Sequence, residues 1–153
     1  MKNITLFILI SLVHSSIIAQ KTSLNNIRVL YQKSATDKNS CIQLNKEIAS
    51  VQIYEDAVLY GYKAVSKMMM ANYVTNPFTK LSYFKEGKKM LDNVIDNNKT
   101  NIELRFLRLC VQENAPAFLG YNDDIDDDKK FIKLYLASLK DFQLKTQIHD
   151  YLK

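Results

Sequence analysis

The segment Ile102–Gln112, IELRFLRLCVQ, is apolar on nearly every side of a helix except where Arg105 and Arg108 stand. A surface helix shows one apolar stripe, whereas a helix that is apolar almost all round is enclosed by neighbours. This segment is therefore expected to be the central helix of its fold. A polar turn, Asn97–Asn101, precedes it. Before that turn runs a longer helical pattern from Asn76, in which Phe78, Leu81, Phe84, Leu91, Val94 and Ile95 mark one face and Gly87 leaves a gap.

The chain has three glycines and two prolines in 153 residues. An all-β domain needs turn residues every eight to twelve positions or so, and this supply is far too small. Helices joined by short polar turns fit the shortage, and the pattern predicts an all-α array or irregular bundle of six to seven antiparallel helices. Leu24, Ile27, Leu30 and Tyr31 share a face of a first helix that Ser23 can cap. Cys41, Leu44, Ile48 and Val51 point inward from a second, with Val51–Tyr54 either continuing it or separating it from the next. The third, about Glu55–Tyr73, carries a small-residue face that includes Gly61 and Ala64. Asn76-Pro77 restarts the chain as a fourth helix, because Asn caps well and proline at the first helical position wastes no donor. Pro116 ends the fifth. The acidic run Asp123–Asp128 opens a sixth, and Asp141 can cap a seventh whose Phe142, Ile148, Tyr151 and Leu152 would close the end of the core.

Met1-Lys2-Asn3 is a short basic start, Ile4–Val13 is apolar, and His14–Ala19 is more polar and ends before Gln20. This is the layout of a secretory signal removed after Ala19. The apolar run, about ten residues, is too short for a spanning helix, which takes roughly twenty. The expected organisation is a signal peptide over 1–19 and a single helical domain over 20–153. The protein should be exported to the periplasm or beyond, without membrane insertion once the signal is gone.

The net charge of +5 comes from scattered lysines. A nucleic-acid binder concentrates its charge into a basic stripe, so no nucleic-acid partner is expected. Gly87, Leu91 and Val94 fall at the separations of the second helix of a tetratricopeptide repeat, and the chain resembles a tetratricopeptide-like helical array. It departs from that family in Lys99, where proline is usual, in Tyr60-Gly61 in place of Leu-Gly, and in lacking a second copy at the roughly 34-residue period. A broader resemblance rests on Gly61–Ile95, Asn101–Asn122 and the DDKKF that follows. These segments resemble a group of small secreted proteins of Gram-negative bacteria. That likeness implies export and a helical fold, and implies no activity.

Cys41 and Cys110 can pair in an oxidising compartment, but nothing in the sequence brings them together, and two buried thiols are expected. Met68-Met69-Met70 offers soft donors for copper. Consecutive helical residues sit about 100° apart, so the three cannot converge on one ion, and packing is the expected role. Asn122–Asp128 lacks the glycine and glutamate of a calcium loop, and its carboxylates suit a helix start. No metal or cofactor is implied.

Residues 20–153 contain one histidine, His149, and no nucleophile elbow, phosphate loop or zinc pair. The leading expectation is therefore an exported, non-enzymatic scaffold that binds a protein or peptide. Its candidate binding face is that of the third helix opposite the Gly61/Ala64 seam, with Tyr62, Lys63 and Met69, and Tyr73 at its end. Aromatics and methionine are common interface anchors. Arg105 and Arg108 form a candidate anion site, although pairing with carboxylates of adjacent helices is the first expectation for them. The alternative is an envelope enzyme or small-ligand carrier with a carboxylate- or arginine-lined pocket.

Overall fold

The computed structural model describes residues 23–153, so the expected signal segment lies outside the described residues. Seven α-helices follow in chain order, with no strand among the described residues: α1 (Leu24–Ser34), α2 (Lys38–Glu47), α3 (Ala57–Met69), α4 (Pro77–Asp96), α5 (Ile102–Asn114), α6 (Ile125–Tyr135) and α7 (Phe142–Tyr151). The all-α expectation holds. The 3₁₀ turn Met70–Tyr73 extends α3, and others cover Ala117–Leu119 and Leu136–Ser138. Val51–Tyr54 separates α2 from α3.

The helices start where short polar side chains satisfy orphan amides. Asp37 accepts from the Ser40 amide at 2.8 Å, Asp56 from Leu59 at 2.9 Å, Asn76 from Phe78 at 2.9 Å and Asn101 from Leu104 at 3.0 Å. Asp141 accepts from Leu144 at 3.0 Å. Ser23 occupies the expected position but makes no side-chain cap. Gly120, at φ +57°, takes the left-handed turn after the Ala117–Leu119 segment, a conformation that suits a residue without Cβ.

Two apolar clusters form the interior. The larger draws Ile27 from α1, Leu44 from α2, Ala64 and Val65 from α3, and Leu91 and Val94 from α4. The smaller joins Ile132 of α6 to Leu144 and Ile148 of α7. Helix α5 supplies both: Leu104 and Leu107 enter the first, Phe106 and Leu109 the second. That is the structural meaning of its apolar circumference. Helices α3 and α4 meet across a close seam, where a Cβ on Gly87 would lie 2.6 Å from the Ala64 carbonyl oxygen and 2.5 Å from Met68 Cγ. Gly87 is the gap that lets them touch.

Four inward assignments are corrected. Phe78 and Leu81 stand 82% and 38% exposed, Phe142 is 81% exposed, and Tyr151 is 38% exposed although its ring packs on Phe106. Phe78 and Phe142 occupy the first turns of α4 and α7, which overhang the core, so a periodic pattern continues past the packed surface. Cys110 is only partly buried at the edge of the smaller cluster, while Cys41 is fully buried, and neither is paired.

Candidate functional site

Two buried ion-pair networks tie the helices together. Arg28 lies within the apolar stripe of α1, since it is four residues after Leu24 and three before Tyr31. Its Nε and Nη2 donate to Oε1 and Oε2 of Glu103, each at 2.7 Å, and its Nη1 donates to Asp141 Oδ2 at 2.7 Å. Tyr62 donates from its hydroxyl to Glu103 Oε1 at 2.8 Å. The guanidinium pKa is raised, first by the hydrogen bond to Glu103, against the opposing effect of burial. The Tyr62 hydroxyl is driven well above its ordinary range by burial and by the Glu103 charge. Residues from α1, α3, α5 and the start of α7 meet here.

The second network centres on Asp128, which is fully buried. Arg108 donates to it from Nε at 2.7 Å and from Nη2 at 2.8 Å, and Arg105 from Nη1 at 3.0 Å. Arg108 also pairs with Asp124 at 3.0 Å. Burial alone would lower the Arg108 pKa, but the bonds to Asp128 outweigh it and the pKa is raised. The Arg105 guanidinium stacks 4.1 Å from the centre of the Phe131 ring, and its Nε donates to the Lys99 carbonyl. Both arginines therefore face inward onto carboxylates. The candidate anion site at Arg105 and Arg108 is corrected: Asp128 occupies the position a ligand would take. Asp128 itself lies in the first turn of α6 as expected for the acidic run, but its role there is a core ion pair.

The candidate binding face on α3 is not a free surface. Tyr62 is 1% exposed, in edge-on contact with Tyr31 at 5.4 Å between ring centres. The placement of Tyr62 as a binding residue is thus overturned, because α1 and α5 cover the side of α3 opposite its seam with α4. Lys63 is half-buried and donates to the carbonyls of Ala49 at 2.6 Å and Val51 at 2.9 Å, which fastens the segment after α2. Tyr73 is half-buried and donates to the Ser34 carbonyl at 2.6 Å. Met69 is half-buried as well. The structure does not bring these four together on an open face.

A groove lies elsewhere. A shallow groove of about 480 Å³ runs between α1 and α7, lined by Val29 and Gln32 on one side and Phe142, Gln143, Thr146 and Gln147 on the other. Arg28 and Asp150 bound it, and both are already paired, Arg28 with Glu103 and Asp141, Asp150 with Lys153 at 2.8 Å. What remains on the walls is an exposed phenyl ring, a 41%-exposed valine, and amide and hydroxyl groups. Such a lining has hydrogen-bond donors and acceptors but no unmatched charge. Among the described residues no group of three or more His, Cys, Asp or Glu side chains is placed to hold a metal.

Arg28 is the residue that sequence reasoning passed over, and Glu103, one of several carboxylates that the sequence leaves open to pairing, is its partner. The signal was present: a charged side chain inside an apolar stripe, as for Arg28, or inside a largely apolar helix, as for Glu103, needs a partner. Comparison with protein families, with curated proteins and with solved structures finds no match.

Proposed function

We propose that this protein is an exported, non-enzymatic helical scaffold that binds an extended peptide segment of a partner protein in the groove between α1 and α7. The observation that carries this reading is Phe142, 81% exposed on the rim of a groove walled by glutamine and threonine side chains. An exposed aromatic beside a concavity is a ready anchor, because it buries much apolar area at small entropic cost. The side chains of Gln32, Gln143 and Gln147 can pair with peptide N–H and C=O groups alike. With Arg28 and Asp150 already matched, the groove favours an uncharged segment bearing one apolar side chain.

The compartment rests on the basic, apolar and polar order of residues 1–19, and on the resemblance to small secreted bacterial proteins. The non-enzymatic reading rests on the internal pairing of Glu103 and Asp128, which leaves these buried carboxylates committed to arginines. Selection from a displayed random-peptide library tests the proposal. Enriched peptides should be uncharged with one large apolar residue, and Phe142→Ala should weaken their binding about tenfold or more while the melting temperature stays unchanged, as for a hot-spot truncation. Failure to enrich any sequence, or binding indifferent to Phe142→Ala, overturns it.

A further inference from the structure

The turn between α4 and α5 carries a motif that the groove does not use. It reads Asp96-Asn97-Asn98-Lys99-Thr100. Among the asparagines after residue 22, only Asn98 has serine or threonine two positions on, and the residue between, Lys99, is not proline. Asn-x-Thr with no proline between is the acceptor pattern for an N-linked glycan in an exported chain.

The structure sets this motif on the outside of the molecule. Asp96 ends α4, Asn101 caps α5, and the residues between them form the turn. Asp96, Asn97, Lys99 and Thr100 are exposed, and Asn98 is half-buried. Asp96 has no ion-pair partner among the described residues. The Asn98 amide donates to the Ile95 carbonyl at 2.8 Å, and its own carbonyl accepts from the Asn101 amide at 2.9 Å. Its side-chain Nδ2 donates to the Val94 carbonyl at 2.8 Å, which satisfies one of the orphan carbonyls at the end of α4. That bond uses one of the two hydrogens on Nδ2. A glycosylated amide keeps one N–H, so a sugar on this nitrogen and the bond to Val94 are compatible. The helix-ending role explains Asn98 but asks nothing of a hydroxyl at position 100.

From this arrangement we infer that Asn98 is a site of N-linked glycosylation, with a lipid-linked oligosaccharide pyrophosphate of the cell envelope as the sugar donor. Nδ2 bonds to the anomeric carbon of the sugar as the bond from that carbon to the pyrophosphate oxygen breaks. Nδ2 gives up one proton, and the lipid pyrophosphate leaves with the electron pair. An amide nitrogen is a weak nucleophile, because resonance draws its lone pair into the carbonyl. A transferase must therefore grip the acceptor firmly, and the Thr100 hydroxyl and the Asp96 carboxylate, two positions to either side of Asn98, are its exposed handles. The inference rests on the reading of the chain as exported and is independent of the peptide groove.

Peptide mapping by mass spectrometry, on the full chain isolated from the cells that make it, tests the site. The peptide containing Asn98 should carry an added mass that releases sugar fragment ions, and Asn98→Gln should abolish it. Thr100→Ala should abolish it as well, while Thr100→Ser keeps it. Position 100 is exposed and the bond from Asn98 to Val94 stays in place, so loss of the sugar there is not a folding failure. Occupancy should fall several-fold in Asp96→Ala. The N-terminus of the same sample separates the two readings. Unmodified Asn98 in protein that begins near Gln20 overturns the site and leaves export standing, whereas unmodified protein that still begins at Met1 overturns both. An added mass that survives Thr100→Ala overturns the proposal in favour of a modification that does not read this motif.

Discussion

Arg28 and Glu103, separated by 75 positions in the chain, form a fork-to-fork pair beneath the surface, with both nitrogen–oxygen distances at 2.7 Å. Their side chains are 3% and 7% exposed. Removing one partner of such a pair strands the other charge in a poorly solvated site. Glu103→Ala should therefore cost about 3–5 kcal/mol in unfolding free energy, measured by urea denaturation. Tyr62→Phe, which deletes only a hydroxyl bonded to the same carboxylate, should cost about 0.5–3 kcal/mol. A loss below about 1 kcal/mol for Glu103→Ala would mean that the pair does not hold α1 against α5.

The seam between α3 and α4 leaves no room at Gly87. Alanine normally favours a helix over glycine by roughly 1 kcal/mol, yet here its methyl would meet the Ala64 carbonyl oxygen at 2.6 Å. Backbone cannot swing aside as a side chain can. Gly87→Ala should lower stability by about 1–3 kcal/mol as an overpacking change. An increase in melting temperature would show that the two helices lie further apart.

Both thiols should be unreactive in the folded protein. Burial pushes Cys41 up to about 11 and Cys110 up to about 12, so neither carries appreciable thiolate at neutral pH. Ellman's reagent should label both only after unfolding. Finding no titratable thiol in denaturant without reductant would reveal a disulfide, and rapid labelling of the native protein would place a thiol at the surface.

Asp141 links stability to pH. The Leu144 amide, and then Arg28, hold its carboxyl below the ordinary carboxylate range, which centres near 3.9. A group whose pKa is depressed on folding contributes stability above its unfolded value, and that contribution is lost as pH falls through the folded value. Asp141→Asn should be less stable than wild type at pH 7, and the two should converge as pH drops below about 4. Urea midpoints across that range measure it, and parallel curves would contradict the linkage.

Much of the fold was readable because helices announce themselves locally. Asn76-Pro77, Asn101 and Asp141 mark starts by chemistry confined to a few residues, and the apolar circumference of Ile102–Gln112 marks a helix with neighbours on both sides. The pairings were not readable in the same way. The acidic run ahead of α6 gives no sign that Asp128, and not Asp126 or Asp127, is the residue swallowed by Arg105 and Arg108, because that choice depends on how α6 lies across α5. Tyr62 was misplaced for the same reason. Its side of α3 is opposite the α4 seam, and only the positions of α1 and α5 decide whether that side meets water. Phe78 and Phe142 failed differently: helical spacing persists into terminal turns that have nothing to pack against.

Because Leu104 and Leu107 serve one cluster while Phe106 and Leu109 serve the other, α5 has a fixed length as well as a fixed composition. One residue inserted within it would turn everything downstream by about 100°, presenting side chains meant for one cluster to the other and swinging Arg105 and Arg108 off Asp128. Natural insertions and deletions in descendants of this chain should therefore collect in the turn at 97–101 and the connector at 115–124, while α5 keeps its residue count even where its individual side chains drift.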